Sequence, residues 1–342
     1  MKKTILAVAA LVAVGMTSCN NDEELLQGNE AIGFSNVFVD NSTRSKSDPS
    51  YTNDNLFEDF AVYGFVEGAT LFNGNQVTGS GVNEKWTYEG TQYWIAGANY
   101  NFAAIAPMTD GRWENASCTL VDNNVKTTRS FTNNDGTTDL LYSNPAAIEG
   151  EVSGNTAVPF TFRHLLSKVK FSFKNNYNAS NATIRVRDIK INNAYSKGDV
   201  TLTSAATTWR SNQSDNKLVL SFGNAAEVSA NSDEVIAYST TVESYNELLL
   251  IPGAAASLQG DQNAGYKVTF IVDLLISGTL VKEYEHTAYV NHEFVAGHSY
   301  DIVAEIAATN IDPEVVQKPI EFTVKEVNGW TPQTQDPSLP LD

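Results

Sequence analysis

The sequence predicts an all-β protein, built as two β-sandwich domains behind an export signal. Three observations carry that expectation. Short apolar–polar alternations recur along most of the chain, bounded by Gly, Pro, Asn, Asp or Ser. No stretch longer than about a dozen residues keeps helical spacing with capping residues, so helices should be few and short. After the signal, some 324 residues remain, which suits two domains of roughly 100–200 residues each.

The chain opens with Lys2 and Lys3, then an unbroken apolar run over 5–14. That run is about half of the roughly 20 residues a helix needs to span a bilayer. A charged start, a short apolar stretch and small residues before a cut mark a secretory signal. Cys19 sits at the cut, and a thiolate is the nucleophile that can accept a lipid. The stretch Gly15-Met16-Thr17-Ser18-Cys19 resembles a bacterial lipobox, with Met16 where Leu is more usual. Residues 1–18 are therefore expected to leave as a lipoprotein signal peptide, with Cys19 as the lipidated N-terminus. Each buried CH₂ of an acyl chain contributes about 0.8 kcal/mol, so several chains would tether a water-soluble ectodomain firmly. Residues 19–30 form a polar, acidic tether.

Removing Lys2 and Lys3 with the signal leaves 20 basic against 40 acidic residues, a net charge of −20. Such a surface repels phosphate backbones and makes nucleic acid an unsuitable partner. If Cys19 carries lipid, Cys118 has no disulfide partner, and the fold must be held by its core. Cys118, beside Ser117 and Thr119, reads as a small buried hydrophobe rather than a reactive thiol.

The strands follow in order. Over 31–39, Ile32 and Phe34 share one face and Phe38 continues it after a break. Residues 59–65 are apolar on both faces, as are 100–106, which Pro107 ends by removing a ladder donor. Asn134-Asp135-Gly136 signals a turn before Leu140-Leu141-Tyr142. Over 167–174, Val169, Phe171 and Phe173 point one way, with Lys168, Lys170, Ser172 and Lys174 opposite, predicting one buried face. Over 183–191 the alternation changes phase, and a β-bulge near Asp188 explains the slip. Ser277-Gly278 is placed to close a two-residue hairpin. Strands are expected over 300–306 and 320–324, the latter with Ile320, Phe322 and Val324 on one side. The domains divide near 162–166, giving 31–163 and 164–342, with an irregular Pro-containing tail over 331–342.

No constellation for catalysis stands out, and no metal site or cofactor is expected. His286, His292 and His298 are six apart, but a zinc site needs a closer pair and supporting ligands. Asn133-Asn134-Asp135-Gly136 lacks the glutamate that completes a calcium loop and reads as a turn. His164 reads as a hydrogen-bonded structural residue near the domain junction. Gly-x-Ser-x-Gly and His-Glu-x-x-His are both absent. The aromatic segment containing Trp86, Tyr88, Tyr93, Trp94 and Tyr100 suits cross-strand packing. If exposed, the same rings would suit stacking on sugars. Seven basic residues fall within 163–190 against one acid, Asp188; they form either a solvated face or an island for an acidic patch on a neighbour.

The chain resembles the fimbrillin family (Mfa-like, type V pilin) of Bacteroidetes. The matching stretches are Tyr93-Trp94, Tyr100-Asn101-Phe102-Ala103-Ala104-Ile105-Ala106-Pro107 and Asp139-Leu140-Leu141-Tyr142. They continue through Phe162-Arg163-His164-Leu165-Leu166 into the strand at 167, then Gly297-His298-Ser299-Tyr300 and Ile320-Glu321-Phe322 with Trp330. Gly253 departs from the family's tendency to Gln after the proline at 252. The resemblance implies two transthyretin-like β-sandwich domains, and subunits that polymerise into fimbriae with other copies or related subunits. It implies an outer-membrane lipoprotein precursor exported to the surface, a step for which the acidic tether resembles the signal, though it reads equally as a spacer. It further implies cleavage after an arginine by an arginine-specific or trypsin-like protease, and strand donation into the groove so opened. Arg44, in a polar stretch after 31–39, is the matching cleavage site, and Arg129 competes with it. Ile32, Phe34 and Phe38 would then belong to the displaced strand, and Ile320, Phe322 and Val324 to the donor. The expected product is a structural or adhesive subunit, not an enzyme. The alternative is a monomeric surface lipoprotein that binds glycans or host molecules through exposed Trp86 or Trp94.

Overall fold

The computed structural model describes residues 30–39, 50–53, 56–82, 84–108, 113–150, 157–177, 182–211, 217–223, 227–229, 235–236, 247–254, 265–311 and 318–327. Cys19, Arg44 and the 331–342 tail lie outside the described residues.

The protein is built almost wholly from strands. The first part runs β1 (Phe34–Val39), β2 (Asp59–Val66), β3 (Ala69–Thr78), β4 (Thr87–Tyr88) and β5 (Asn99–Ala106). A hairpin of β6 (Trp113–Val121) and β7 (Asn124–Thr132) precedes β8 (Leu141–Ser143), β9 (Ile148–Glu149) and β10 (Val158–His164). The second part begins with β11 (Ser167–Asn176), β12 (Ala182–Tyr195), β13 (Lys197–Leu202) and β14 (Thr207–Ser211). Short strands follow: β15 (Lys217–Gly223), β16 (Glu227–Ser229), β17 (Val235–Ile236), β18 (Glu247–Leu250) and β19 (Gly253–Ala254). The chain closes with β20 (Tyr266–Ile276), β21 (Thr279–Val290), β22 (Glu293–Phe294), β23 (Ser299–Ala307), the one-turn helix α1 (Ala308–Ile311) and β24 (Phe322–Val327).

In the first unit one sheet runs β1-β10-β8-β5-β2-β3-β4, with β9 on β5. It curls until its ends meet, because Phe34 bridges to Trp86 and Ala31 to Tyr93. Phe34, Phe60, Phe72, Trp86, Phe102 and Phe160 fill the inside of the curl. Its outer face packs on a second sheet, β14-β13-β7-β6. With both faces covered, every residue of β2 is buried, as its two-sided apolar pattern predicts. In the second unit, a sheet of β17-β11-β23-β24 with β18 faces one of β15-β12-β20-β21 with β16. Val169, Phe171, Ile184, Val186, Phe270 and Ile302 lie in the core between them.

Several local expectations are met. Asp188 takes φ 54°, and pairing with β20 jumps from Arg187↔Ile271 to Lys190↔Thr269, which is the bulge the phase slip requires. Ser277 and Gly278 take φ 49° and 79°, the left-handed pair of a two-residue hairpin turn. Asn133 accepts a 2.8 Å bond from the Gly136 amide and donates to the Leu249 carbonyl at 2.9 Å, so that segment is a turn.

Others need correction. The lysine face of β11 is buried in part: Lys168, with Glu247 at 3.8 Å, is only 4 % exposed and Ser172 is fully buried, while Lys170 and Lys174 stay partly exposed. Ladders cross position 163/164. β13 and β14, which come after it, extend the sheet of β7, with Val200 opposite Arg129. A third cluster, holding Tyr63 and Tyr142 with Leu165, Leu249 and Ile251, joins the units. His164 sits at this junction, buried, its Nδ1 2.7 Å from the Asp139 carboxylate.

Candidate functional site

β1 is the strand that closes the first unit. On one side it lies parallel to β10, with Phe34 opposite Val158, Val37 opposite Phe160 and Val39 opposite Phe162. On the other side it exchanges bonds with residues 82–94. The Trp86 amide donates to the Phe34 carbonyl at 3.1 Å, the Ile32 amide to Gln92 at 2.8 Å and the Val37 amide to Val82 at 3.1 Å. Tyr88 adds a side-chain clamp: its hydroxyl donates to the Ile32 carbonyl at 2.8 Å and accepts from the Gln92 amide at 3.1 Å. Burial raises the Tyr88 pKa, and the bond from Gln92 only partly opposes it, so the hydroxyl keeps the proton it donates.

Phe34 is fully buried and centres a cage of rings. It stacks on Phe160 at 5.7 Å and meets Phe60, Phe72, Tyr88 and Phe102 edge-on at 6.1, 5.7, 5.3 and 6.4 Å. Ile32 is buried as expected. Phe38 is not: its side chain is 38 % exposed, while Val37 and Val39 point inward. The register shifts between Ser35 and Val37, and that bulge turns the following residues over. Pro159 stands opposite Ser35 and brings no N–H to the ladder, a signal legible in the sequence. The run Val37-Phe38-Val39 is apolar in both phases, so alternation alone could not decide.

The C-terminal candidate is differently placed. Among the described residues β24 pairs with β23 alone and forms one edge of its sheet, with Val324 opposite Ile302 and Phe322 opposite Ala304. Ile320 is buried just before the strand, and Phe322 and Val324 are half-buried against the second core. Phe322 meets Phe171 at 5.6 Å and Phe270 at 5.8 Å. Glu321, Thr323 and Lys325 face solvent. The two candidate strands are not brought together within one chain: one seals the first unit, the other borders the second.

Trp86 and Trp94 are 1 % and 0 % exposed, which removes them as surface rings for sugar stacking. Arg129 lies inside β7 between β6 and β13, bonded to the Tyr63 hydroxyl, and is a poor protease site compared with a polar loop. The basic run is largely engaged: Arg185 and Arg187 share Asp273, Lys174 is 3.8 Å from Glu305, and Lys168 meets Glu247. Four of its seven members thus already meet carboxylates of this chain. Cys118 lies against the Thr127 hydroxyl at 3.5 Å, and burial pushes its thiol pKa up, the reverse of activation. His292 and His298 flank Tyr300 while His286 stacks on Phe270. Among the described residues no three metal-ligating side chains converge.

Comparison with known proteins gives a family and several structural likenesses. Residues 43–326 match the family described as fimbrillin-like. No curated protein matches. A candidate cell adhesion protein from Bacteroides uniformis is 17 % identical with a TM-score of 0.46, over 89 % of this chain and 98 % of that one. A second from Bacteroides ovatus is 14 % identical with a TM-score of 0.47, over 89 % and 99 %. The fimbrial anchor protein Mfa2 from Porphyromonas gingivalis is 11 % identical with a TM-score of 0.35, over 88 % and 98 %.

Proposed function

The chain belongs to the fimbrillin-like family, and from that premise we propose that it is a structural subunit of a fimbrium, exported as a lipoprotein and joined to its neighbours by strand exchange. In this reading Cys19 carries the lipid to the outer membrane. An arginine-specific or trypsin-like protease cuts after Arg44, and the segment bearing Ile32, Phe34 and Phe38 leaves with the anchor. The segment with Ile320, Phe322 and Val324 from another subunit fills the groove.

The observation that carries the reading is the double bonding of β1 in its ring of aromatics. Ile32, Phe34, Val37 and Val39 are all at most 1 % exposed. Burying one such side chain contributes roughly 1.5–3 kcal/mol, so four contribute about 6–12 kcal/mol, the size of a domain's whole net stability. An intact β1 therefore stays in place. Cutting its link to the body turns it into a separable ligand, and a strand of matching chemistry can then take the groove by main-chain pairing with side chains in alternate pockets.

Two further points support it. The family match begins at residue 43, beside Arg44. Residues 320–327, IEFTVKEV, echo residues 32–39, IGFSNVFV: Ile, Phe, a hydroxyl residue and Val recur at the first, third, fourth and eighth places. Ile320, Phe322 and Val324, alternate along the segment, would face the groove. If Arg44 is never cut, Cys19 remains the tether and the protein serves as an anchor or a monomeric surface lipoprotein.

The test is protease-dependent assembly, read as heat-resistant ladders on a gel and as filaments by electron microscopy. Arg44→Ala precursor should give none after protease treatment; ladders from it would overturn the assigned cut. Because β24 also covers its own core, its donor role is better tested by pinning than by deletion. Val303 and Thr323 lie opposite each other. Cysteines at both positions should block ladders when oxidised and permit them when reduced; ladders from the oxidised form would exclude β24 as donor.

A further inference from the structure

A cleft of about 470 Å³ opens where the two units meet, within the size range of small-ligand sites. Its walls carry Arg163 from the end of β10, Thr207, Thr208 and Trp209 from β14, and Glu293 and His298 from the segment around β22. Arg163 is the unusual member. Its guanidinium carbon lies 4.9 Å over the Tyr142 ring, Nη2 donates to the Thr203 carbonyl at 2.7 Å and Ala206 carbonyl at 3.4 Å, and Nε to the Thr207 hydroxyl at 3.4 Å. Every one of these partners is neutral. Among the described residues no carboxylate pairs with Arg163, although the chain has 40 acidic residues and nearby Arg185 and Arg187 both close on Asp273. Burial works against its charge, lowering its pKa from the usual arginine value.

We propose that this cleft binds an acidic sugar of the uronic-acid class, with Arg163 taking the carboxylate. With Nε and Nη2 engaged, Nη1 keeps two N–H donors on a guanidinium already fixed in orientation, and these can meet a carboxylate oxygen without the entropy loss of ordering a free side chain. The remaining walls suit the ring of a sugar better than an apolar acid. Thr207 and Thr208 supply hydroxyls, Glu293 an acceptor, and His298 an imidazole whose Nδ1 is held 2.6 Å from Glu326. Trp209 supplies an indole fixed by its own 2.8 Å bond to the Leu165 carbonyl. The inference stands apart from strand exchange: it uses neither β1 nor the Arg44 cut, and it gives the subunit an adhesive contact.

The test is an NMR titration of the purified protein with methyl glucuronide, methyl glucoside and a capped diglutamate peptide. Glucuronide should bind at least tenfold more tightly than glucoside, and added salt should weaken it. Arg163→Met should reduce that binding at least tenfold. Thr208→Trp fills the cleft without touching the bonds of Arg163 and should abolish binding, so it decides the matter if Arg163→Met fails to fold. Equal binding of the glucoside, no binding of the glucuronide, tighter binding of the peptide, or full binding by Thr208→Trp would each overturn the proposal.

Discussion

β1 and β24 look alike in sequence and differ in how they are held. Both open on Ile-x-Phe followed by a hydroxyl residue and reach Val at the eighth place. β1 is bonded along both sides and places four side chains in a closed aromatic interior. β24 is bonded along one side, borders its sheet, and leaves Phe322 and Val324 half-exposed. The same local pattern thus serves as an enclosed strand in one unit and as a sheet border in the other. What separates them is the number of ladder neighbours, which lies in topology and not in the strand's own residues. An edge strand bonded along one side can leave its sheet with less loss than a strand bonded along both.

The largest expected effect breaks or upholds that contrast directly. Phe34→Ala should lower stability to denaturant by about 3–5 kcal/mol, because a fully caged ring leaves a cavity that β-sheet walls cannot close. Phe322→Ala should lower it by roughly half as much, since part of that ring already meets water. Urea titration of the uncut protein measures both. Equal losses would mean that β24 is as firmly built in as β1.

Hydrogen exchange sharpens the contrast without mutation. Amides of β1 that bond across either side should exchange only with opening of the whole first unit, whereas β24 frays as an edge. Protection of the Val37 amide should exceed that of the β24 amides by about tenfold or more, a free-energy gap of about 1.4 kcal/mol or more. Protection in the reverse order would make β1 the more loosely held of the two strands.

A smaller contrast lies within β1. Val37→Ala removes two buried carbons and should lower stability by roughly 2 kcal/mol, while Phe38→Ala should stay within about 0.5 kcal/mol. The reversed ranking would mean that the bulge is absent. This is also where the sequence stopped being sufficient. The phase slip at Asp188 was legible because a run of alternating residues on each side exposed it, as was the Ser277-Gly278 turn from its residue types. The slip in β1 was hidden because Val37, Phe38 and Val39 are apolar in either phase. The burial of Lys168 and Ser172 on the lysine face of β11 was hidden for another reason: the alternation reads that face as solvent-facing, and Glu247 of β18, which meets Lys168, lies far along the chain. Trp86 and Trp94 read as either packed or exposed until the curl of the first sheet enclosed them. Patterns within a strand are local, while burial of a polar face or an aromatic segment is decided by partners far along the chain.

The smallest effect separates the two units by pH. In the second unit, burial against Phe270 lowers the His286 pKa. Burial raises the Asp273 carboxyl, but bonds from Arg187 and Arg185 outweigh it and leave the net shift downward. His292 is shifted down as well, chiefly by burial, with Glu326 and Glu293 opposing. A group with a depressed folded pKa gives full stability above its unfolded pKa and loses it as pH falls through the folded one. The second unit should therefore weaken first below about pH 6.5 as the histidines charge, and again below about pH 4 as Asp273 protonates. In the first unit the shifted groups around β1 are Tyr88 and Tyr100, both raised mainly by burial. Their contribution is complete below about pH 10 and fades as pH rises above it, so acid should spare the β1 ring while alkali strains it. Hydrogen exchange at pH 7 and pH 5 should show β20 and β21 losing protection while β1 and β10 hold theirs. His286→Phe should abolish most of the loss between those two values; if the loss persists unchanged, His286 is not its source and His292, against Phe294 and Tyr300, is the group to replace next.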